Sequence, residues 1–237
     1  MTITVISLFP EMFTPLLSLS ILGRAQKKNF VNIKLVNLRD YATDKHKSVD
    51  DTPYGGGVGM ILRVDVVDRA ISEVLKRSKN LKSWSILLDP QGTTYTQKKA
   101  KSLTKYEHLI LLCGHYEGVD ERIRSLFDEE ISLGDFILTG GEIPAMAIVD
   151  SIVRLLPGVL EKENVTENES FSLRSSDSNG SLLEYPHYTK PSEYKGLKVP
   201  EILLNGHHKH IEEWRGQQSM ERTKKRRPDL LKTSHES

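Results

Sequence analysis

Ser85-Ile-Leu-Leu-Asp89 and His108-Leu-Ile-Leu-Leu-Cys113 are short, unbroken apolar runs, and their reading decides the fold. Strands buried on both faces look like this, whereas half-solvated strands alternate. Working outward, ITVISLF (3–9) is another strand candidate closed by Pro10, and 11–28 reads as helix. VNIKLVNL (31–38) alternates as a half-buried strand does. Residues 66–77 place Val66, Val67, Ala70, Ile71, Val74 and Leu75 on one helical face. Thr96 can cap a helix over 97–103, and EEIS (129–132) adds a strand. Further helices are expected over 119–127 and 142–155, with Pro144 tolerated in a first turn. Strand and helix alternating over about 155 residues predict an α/β domain with a mostly parallel sheet.

Organisation changes after Pro157. Residues 161–182 are polar, rich in Ser, Asn and Glu, and have little to bury. They read as a flexible interdomain linker, expected to be disordered until a partner binds. Residues 183–237 have few strand signals; 207–226 read as helix with Ile211 and Trp214 on one face, and Pro228 opens a final turn. The expected division is a domain over 1–160, a linker over 161–182 and a small, mainly helical domain over 183–237.

Composition excludes several classes. The 237 residues carry 33 Lys and Arg against 32 Asp and Glu, and 38% are hydrophobic, as in a soluble globular chain. No signal-peptide pattern and no membrane-length apolar run occurs, so a cytoplasmic protein is expected. The single cysteine, Cys113, can form neither an internal disulfide nor a cysteine zinc site. N-x-[ST] matches at Asn164, Asn168 and Asn179 are then chance. The near-neutral charge hides a basic run, RTKKRR (222–227), which suits a solvated face or a polyanionic backbone. His207, His208 and His210 lack the cysteine or carboxylate spacing of a zinc site and read as surface helix histidines.

Glycine is spent unevenly. Tyr54-Gly-Gly-Gly-Val-Gly-Met60 holds four glycines in five residues but no GxGxxG, and no GK[ST] occurs anywhere, so neither common nucleotide fingerprint is present. The segment is a flexible turn or a close backbone approach. Three more segments each follow an expected strand: Asp89-Pro-Gln-Gly92, Cys113-Gly-His-Tyr-Glu-Gly118, and 133–142, LGDFILTGGE. Loops beyond the carboxyl ends of parallel strands line the ligand crevice, and their free backbone groups suit an adenine edge and a ribose.

These residues carry a resemblance. SLFPEMF (7–13), VDDTPYGGGVGM (49–60), DPQG (89–92), CGHYEGVDER (113–122), SLGDFILTGGEIPAM (132–146), LLPGVL (155–160) and LLEYPHYTKP (182–191) resemble the bacterial tRNA (guanine-N1)-methyltransferases acting at position 37. The resemblance covers nearly the whole chain, in order and spacing. It implies a member of the SPOUT superfamily: a deep trefoil knot, S-adenosylmethionine as methyl donor, and a homodimer with the active site between subunits. Periodicity and composition do not indicate a knot, which is rare among folds. The resemblance assigns cofactor binding to Gly114, Leu133, Gly134, Asp135, Phe136, Ile137 and Leu138. Leu88, Pro90, Tyr116, Glu117, Gly140, Gly141 and Pro144 complete the same pocket. It also gives the basic C-terminal helix a role in holding tRNA.

Methylation of guanine N1 requires loss of a weakly acidic proton while charge builds toward O6. A positioned base and a cationic partner for O6 are therefore needed. The family's base is an aspartate directly before a Ser-Phe pair; here Ser170-Phe171 follows Glu169, a departure by one methylene with similar intrinsic acidity. The resemblance implies Glu169 as general base and Arg154 as the group facing O6. Arg24, Asp50, His115 and His187 match substrate-side positions, although His115 could equally serve packing. Glu117 is implied as a ligand for Mg2+, on the strength of one carboxylate. The expected activity is methyl transfer to N1 of guanine 37, with guanine also preferred at 36, which protects the reading frame. The alternatives are a ribose 2′-O-methyltransferase of the same fold and a non-catalytic RNA-binding module.

Overall fold

The computed structural model describes residues 1–161, 165–173 and 180–231. The chain divides into two compact units, Met1–Glu161 and Lys162–Ser237. In the first unit, β1 (Thr2–Ser7) leads through a 3-10 turn into α1 (Thr14–Ser18) and α2 (Ser20–Lys27), then β2 (Asn32–Asn37). A small antiparallel pair, β3 (Asp50–Asp51) and β4 (Ile61–Leu62), precedes α3 (Val64–Arg77). Then come β5 (Ser83–Thr94), α4 (Gln97–Leu103), β6 (His108–Cys113), β7 (Glu129–Ser132) and α5 (Glu142–Val153).

Five strands form one sheet in the order β2-β1-β6-β5-β7, every pair parallel. The unbroken apolar runs occupy its centre: all six residues of β6 are buried, as are Ser85–Leu88 of β5. Side chains alternate between two cores. Ile3, Val5, Ile86, Leu88, Leu109 and Leu111 pack on one face with residues of α1, α2, α4 and α5. Ile6, Leu87, Ile110 and Leu112 pack on the other with Val66, Val67, Ala70, Ile71 and Val74 of α3. Burying both faces removes the need for alternation, which is why these strands read as continuous hydrophobe.

Several boundaries differ from the sequence reading. The expected helix over 11–28 is broken at Leu19, which is extended, and Ser20 has a φ of 51°. Phe13, Leu17, Leu22 and Ala25 all reach the core, and the five-residue step from Leu17 to Leu22 does not fit one helical stripe. The segment 119–127 forms a 3-10 helix (Glu121–Leu126) rather than α. Its turn is capped by Asp120, whose side chain accepts from the Arg122 N–H. Thr96 caps α4 as expected, accepting from the Lys99 N–H at 3.2 Å. The DPQG segment is an excursion within β5: Leu88 and Thr93 both pair with Ile131, so residues 89–92 leave the ladder.

In the second unit, β8 (Glu193–Tyr194) and β9 (Leu197–Lys198) make a short hairpin, followed by α6 (His208–Arg226) and a 3-10 turn at Pro228–Leu231. Thr223 is buried; its hydroxyl donates to Ser219 C=O and accepts from the Leu183 N–H at 2.8 Å. Two parts of the polar 161–182 stretch are held in this unit. Phe171 N–H donates to Leu182 C=O, Leu182 N–H to Leu173 C=O, and Ser181 N–H to Leu230 C=O. Leu182 is 7% exposed, so the stretch does have something to bury. Residues 162–164 and 174–179, to which the linker reading also extends, lie outside the described residues.

Candidate active site

The parallel register brings the carboxyl ends of β5, β6 and β7 side by side, and the three flagged glycine segments leave the sheet there. Residues 114–118 and 133–141 are pressed together. Gly141 N–H donates to Gly114 C=O at 2.7 Å, and His115 bridges Gly140. A Cβ at Gly141 would stand 2.7 Å from Cys113 Cα; one at Gly114 would stand 3.0 Å from the Leu88 carbonyl oxygen. At Gly140 the added carbon would meet the Glu142 carboxylate and the His115 ring at about 2.5 Å, 2.4 and 2.5 Å respectively. Gly114 and Gly141 are thus required by backbone meeting backbone, and Gly140 by the two side chains packed on it, rather than by turn flexibility alone.

A buried polar link anchors this junction. Glu142, 3% exposed in the first turn of α5, accepts from the Ser7 hydroxyl at 2.7 Å, joining the end of β1 to the helix start. A carboxylate in that first turn also meets the positive end of the helix dipole. His115 Nδ1 lies 3.7 Å from Glu142 Oε2, and its ring packs against Phe9 and Tyr116. Neither Ser7 nor Glu142 stood out in the sequence. They are 135 positions apart, and only the sheet register reveals the contact.

The other expected cofactor residues are spread along the same edge. Leu133 packs onto the core, Gly134 accepts from the Phe136 N–H through its carbonyl, and Leu138 is half-buried. Asp135, Phe136 and Ile137 are exposed, Ile137 by 80%. Pro90 is exposed on the DPQG excursion, and Pro144 sits in the first turn of α5. Arg124 braces the start of the excursion, reaching Asp89 at 3.5 Å, Glu121 at 2.9 Å and Glu130.

The Tyr54–Met60 glycine run proves to be a neighbour of this site. Glu117 N–H donates to Met60 C=O, Leu62 N–H to Gly118 C=O, and a Cβ at Gly59 would lie 2.4 Å from Glu117 Cγ. Tyr54 and Val58 stand in solvent, 100% and 92% exposed. Asp50, on β3, faces Tyr116: burial pushes the Tyr116 phenol up, Asp50 adds to the rise, and Arg39 opposes it. One substrate-side expectation therefore converges on the cofactor edge. Cys113 is fully buried, and burial together with Glu142 raises its thiol well above 9.0, so it has no thiolate chemistry to offer.

Other expected residues lie elsewhere. Arg24, on α2, makes an exposed ion pair with Glu161 at 3.5 Å. Arg154 is the C-cap of α5, its N–H donating to Asp150 C=O. Glu169 and His187 belong to the second unit; Glu169 C=O accepts from the Ser172 and Leu173 N–H groups, and His187 Nε2 pairs with Glu184 at 2.9 Å. The metal expectation is not met by the donor set. Glu117 is exposed, and among the described residues no three His, Cys, Asp or Glu side chains cluster as a cation site, the exposed histidines 207, 208 and 210 included. Among those residues, too, no helix is long and apolar enough to cross a membrane.

Residues 1–233 match the profile of the family described as tRNA (Guanine-1)-methyltransferase TrmD. The chain belongs to this family. Similar proteins include the tRNA (guanine-N(1)-)-methyltransferases of Anoxybacillus flavithermus and Bacillus subtilis, each 54% identical. Those alignments cover 98% of this chain and 92% and 93% of the relatives. The Ruminiclostridium cellulolyticum protein of the same name is 53% identical over 98% of this chain and 96% of its own. Membership gives the three interleaved loops a common purpose, because S-adenosylmethionine is the methyl donor a methyltransferase of this family uses.

Proposed function

We propose that the chain methylates N1 of guanine 37 in tRNA, with guanine preferred at 36. The observation that carries this reading is the meeting of residues 88–92, 114–118 and 133–141 at one sheet edge, in a chain whose residues 1–233 match the family. Bound S-adenosylmethionine supplies an electrophilic methyl group. The chain's own residues supply the rest. Backbone groups of 114–118 and 133–141 hold the adenosine, and Leu88 and Leu138 shield it from water. Glu169 accepts the N1 proton, and the Arg154 guanidinium faces O6, where charge builds as that proton leaves. Glu169 has the reach of one extra methylene, which the backbone after Val165–Glu167 must accommodate. Among the described residues no three His, Cys, Asp or Glu side chains gather around Glu117 to build a magnesium site, and no step is routed through the ion.

The same reading places the active site between two copies of the chain, about a deep trefoil knot. The tight passage of 140–141 against 113–114 supports the knot. For the homodimer, Met12, Pro15, Leu16, Leu19, Ile21 and Leu22 line an open apolar groove of about 400 Å³. Leu19 is 66% exposed there and Ile143 of α5 51%, the kind of surface a second copy covers. A small helical tRNA-binding domain beyond a linker, and a cytoplasmic location, follow from the same substrate. Mass spectrometry of nucleosides from a treated transcript tests the function. N1-methylguanosine, lost when guanine 37 is replaced by adenine, is the expected product. A 2′-O-methylnucleoside would point to the ribose-modifying alternative, and no methylated product to a binding module.

A further inference from the structure

We infer that the second unit contains a pocket for one unpaired RNA base, built from residues other than those of the cofactor loops; this rests on the tRNA reading above. Tyr185, His187 and Tyr188 form one wall, Ile211, Trp214 and Arg215 of α6 the other, around a cavity of about 190 Å³. Ile211, Trp214 and Arg215 stand at i, i+3 and i+4, so one helical face presents an aliphatic floor, an indole and a guanidinium together. The volume is below that of cofactor or drug-sized sites and suits one planar ring system.

The chemistry of the lining selects the occupant. Tyr185 and His187 rings lie 4.8 Å apart, and Tyr188 and Trp214 rings 6.5 Å apart at 50°. Arg215 lies over the Tyr185 ring at 4.7 Å and is steered by Glu212, which its Nη1 meets at 2.8 Å. Its Nε–H, buried beside the cavity, finds no acceptor among the described residues. The side chain as a whole keeps 36% of its surface open, so a ligand oxygen or ring nitrogen can meet the guanidinium where it lines the cavity. Aromatic rings with a guanidinium among them describe recognition of an extruded base, stacked and read through a carbonyl such as guanine O6 or pyrimidine O2. Lys190, Lys209 and the three exposed histidines nearby in sequence suit the attached phosphates. Glu184 holds His187 through Nε2 at 2.9 Å.

The test is a double-mutant cycle between base and pocket. Affinities of the full chain are measured for transcripts with guanines 36 and 37, in which one unpaired anticodon-loop base at a time is made abasic. The same series is repeated with Trp214→Ala and with the milder Arg215→Lys, which keeps charge but loses the planar fork. One position other than 37 is expected to cost the wild type about tenfold or more in Kd, the scale of a lost base–aromatic stack. That penalty should fall to about twofold or less in each folded variant. Equal penalties in wild type and Arg215→Lys at every position, with wild type making N1-methylguanosine, would overturn the pocket alone. A wild type that methylates no tRNA would overturn the tRNA reading and this occupant with it.

Discussion

Gly141→Ala probes the loop junction most sharply. The added methyl would stand 2.7 Å from Cys113 Cα, 2.8 Å from Gly114 N and 3.1 Å from Cys113 C, all backbone. Carbon atoms in contact prefer about 3.5–4.0 Å, so the two loops must part by roughly 0.8 Å. Overpacking of this kind costs about 1–3 kcal/mol. Stretching the 2.7 Å hydrogen bond from Gly141 to Gly114 adds its own loss, of about 0.5–1.5 kcal/mol. Displacement on this scale in a positioning site can lower rates by about 10²-fold. Calorimetric titration with S-adenosylmethionine should show a Kd weakened by about tenfold or more, with a lowered urea midpoint. Gly216→Ala is the control: it lies in α6 with nothing within 4 Å of its added carbon. It should leave cofactor affinity unchanged and raise stability by about 0.5–1 kcal/mol. Cofactor affinity in Gly141→Ala within about threefold of wild type, at an unshifted midpoint, would refute the argument that backbone contact builds this pocket.

Removing Arg124 by Arg124→Ala leaves Asp89 and Glu130 without their shared cation; an unfolding free energy lowered by about 2 kcal/mol or more in urea titration is expected, with weaker cofactor binding, and unchanged stability would contradict the bracing role. His108 gives a pH dependence. Burial first, then Lys34, holds its pKa below 6.5, and its Nε2 bonds the Thr4 hydroxyl at 2.8 Å. The unfolded chain therefore binds the proton first, so His108's contribution is fully present above pH 6.5 and is lost as pH falls below it. Urea midpoints measured across that window should fall more steeply for wild type than for His108→Asn, and parallel slopes would refute the assignment.

Much of the fold was legible because burial on both faces leaves a mark in sequence. The HLILLC run becomes β6 residue for residue, and the stripe at 66–77 is the buried face of α3 except for Leu75, which is 39% exposed. What stayed hidden depends on long-range register or on elements too short for periodicity. The two-residue strands β3 and β4 carry no pattern, yet they set Asp50 against Tyr116. Leu19 ends one helix and opens another only because core contacts on both sides demand it. Three glycine loops could be placed on one sheet edge because each follows an expected strand of a parallel sheet, but the Ser7–Glu142 link could not. Glu169 and Arg154 are candidates through resemblance; local pattern marks one as a polar loop carboxylate and the other as a helix C-cap.

The base bears most directly on the account. Single-turnover transfer of a labelled methyl group from S-adenosylmethionine to a transcript with guanines 36 and 37 should be measured for wild type and Glu169→Gln. The account predicts a rate lower by about 10²-fold or more in the variant, with tRNA affinity retained. An unchanged rate at unchanged affinity would contradict it and remove Glu169 from the mechanism.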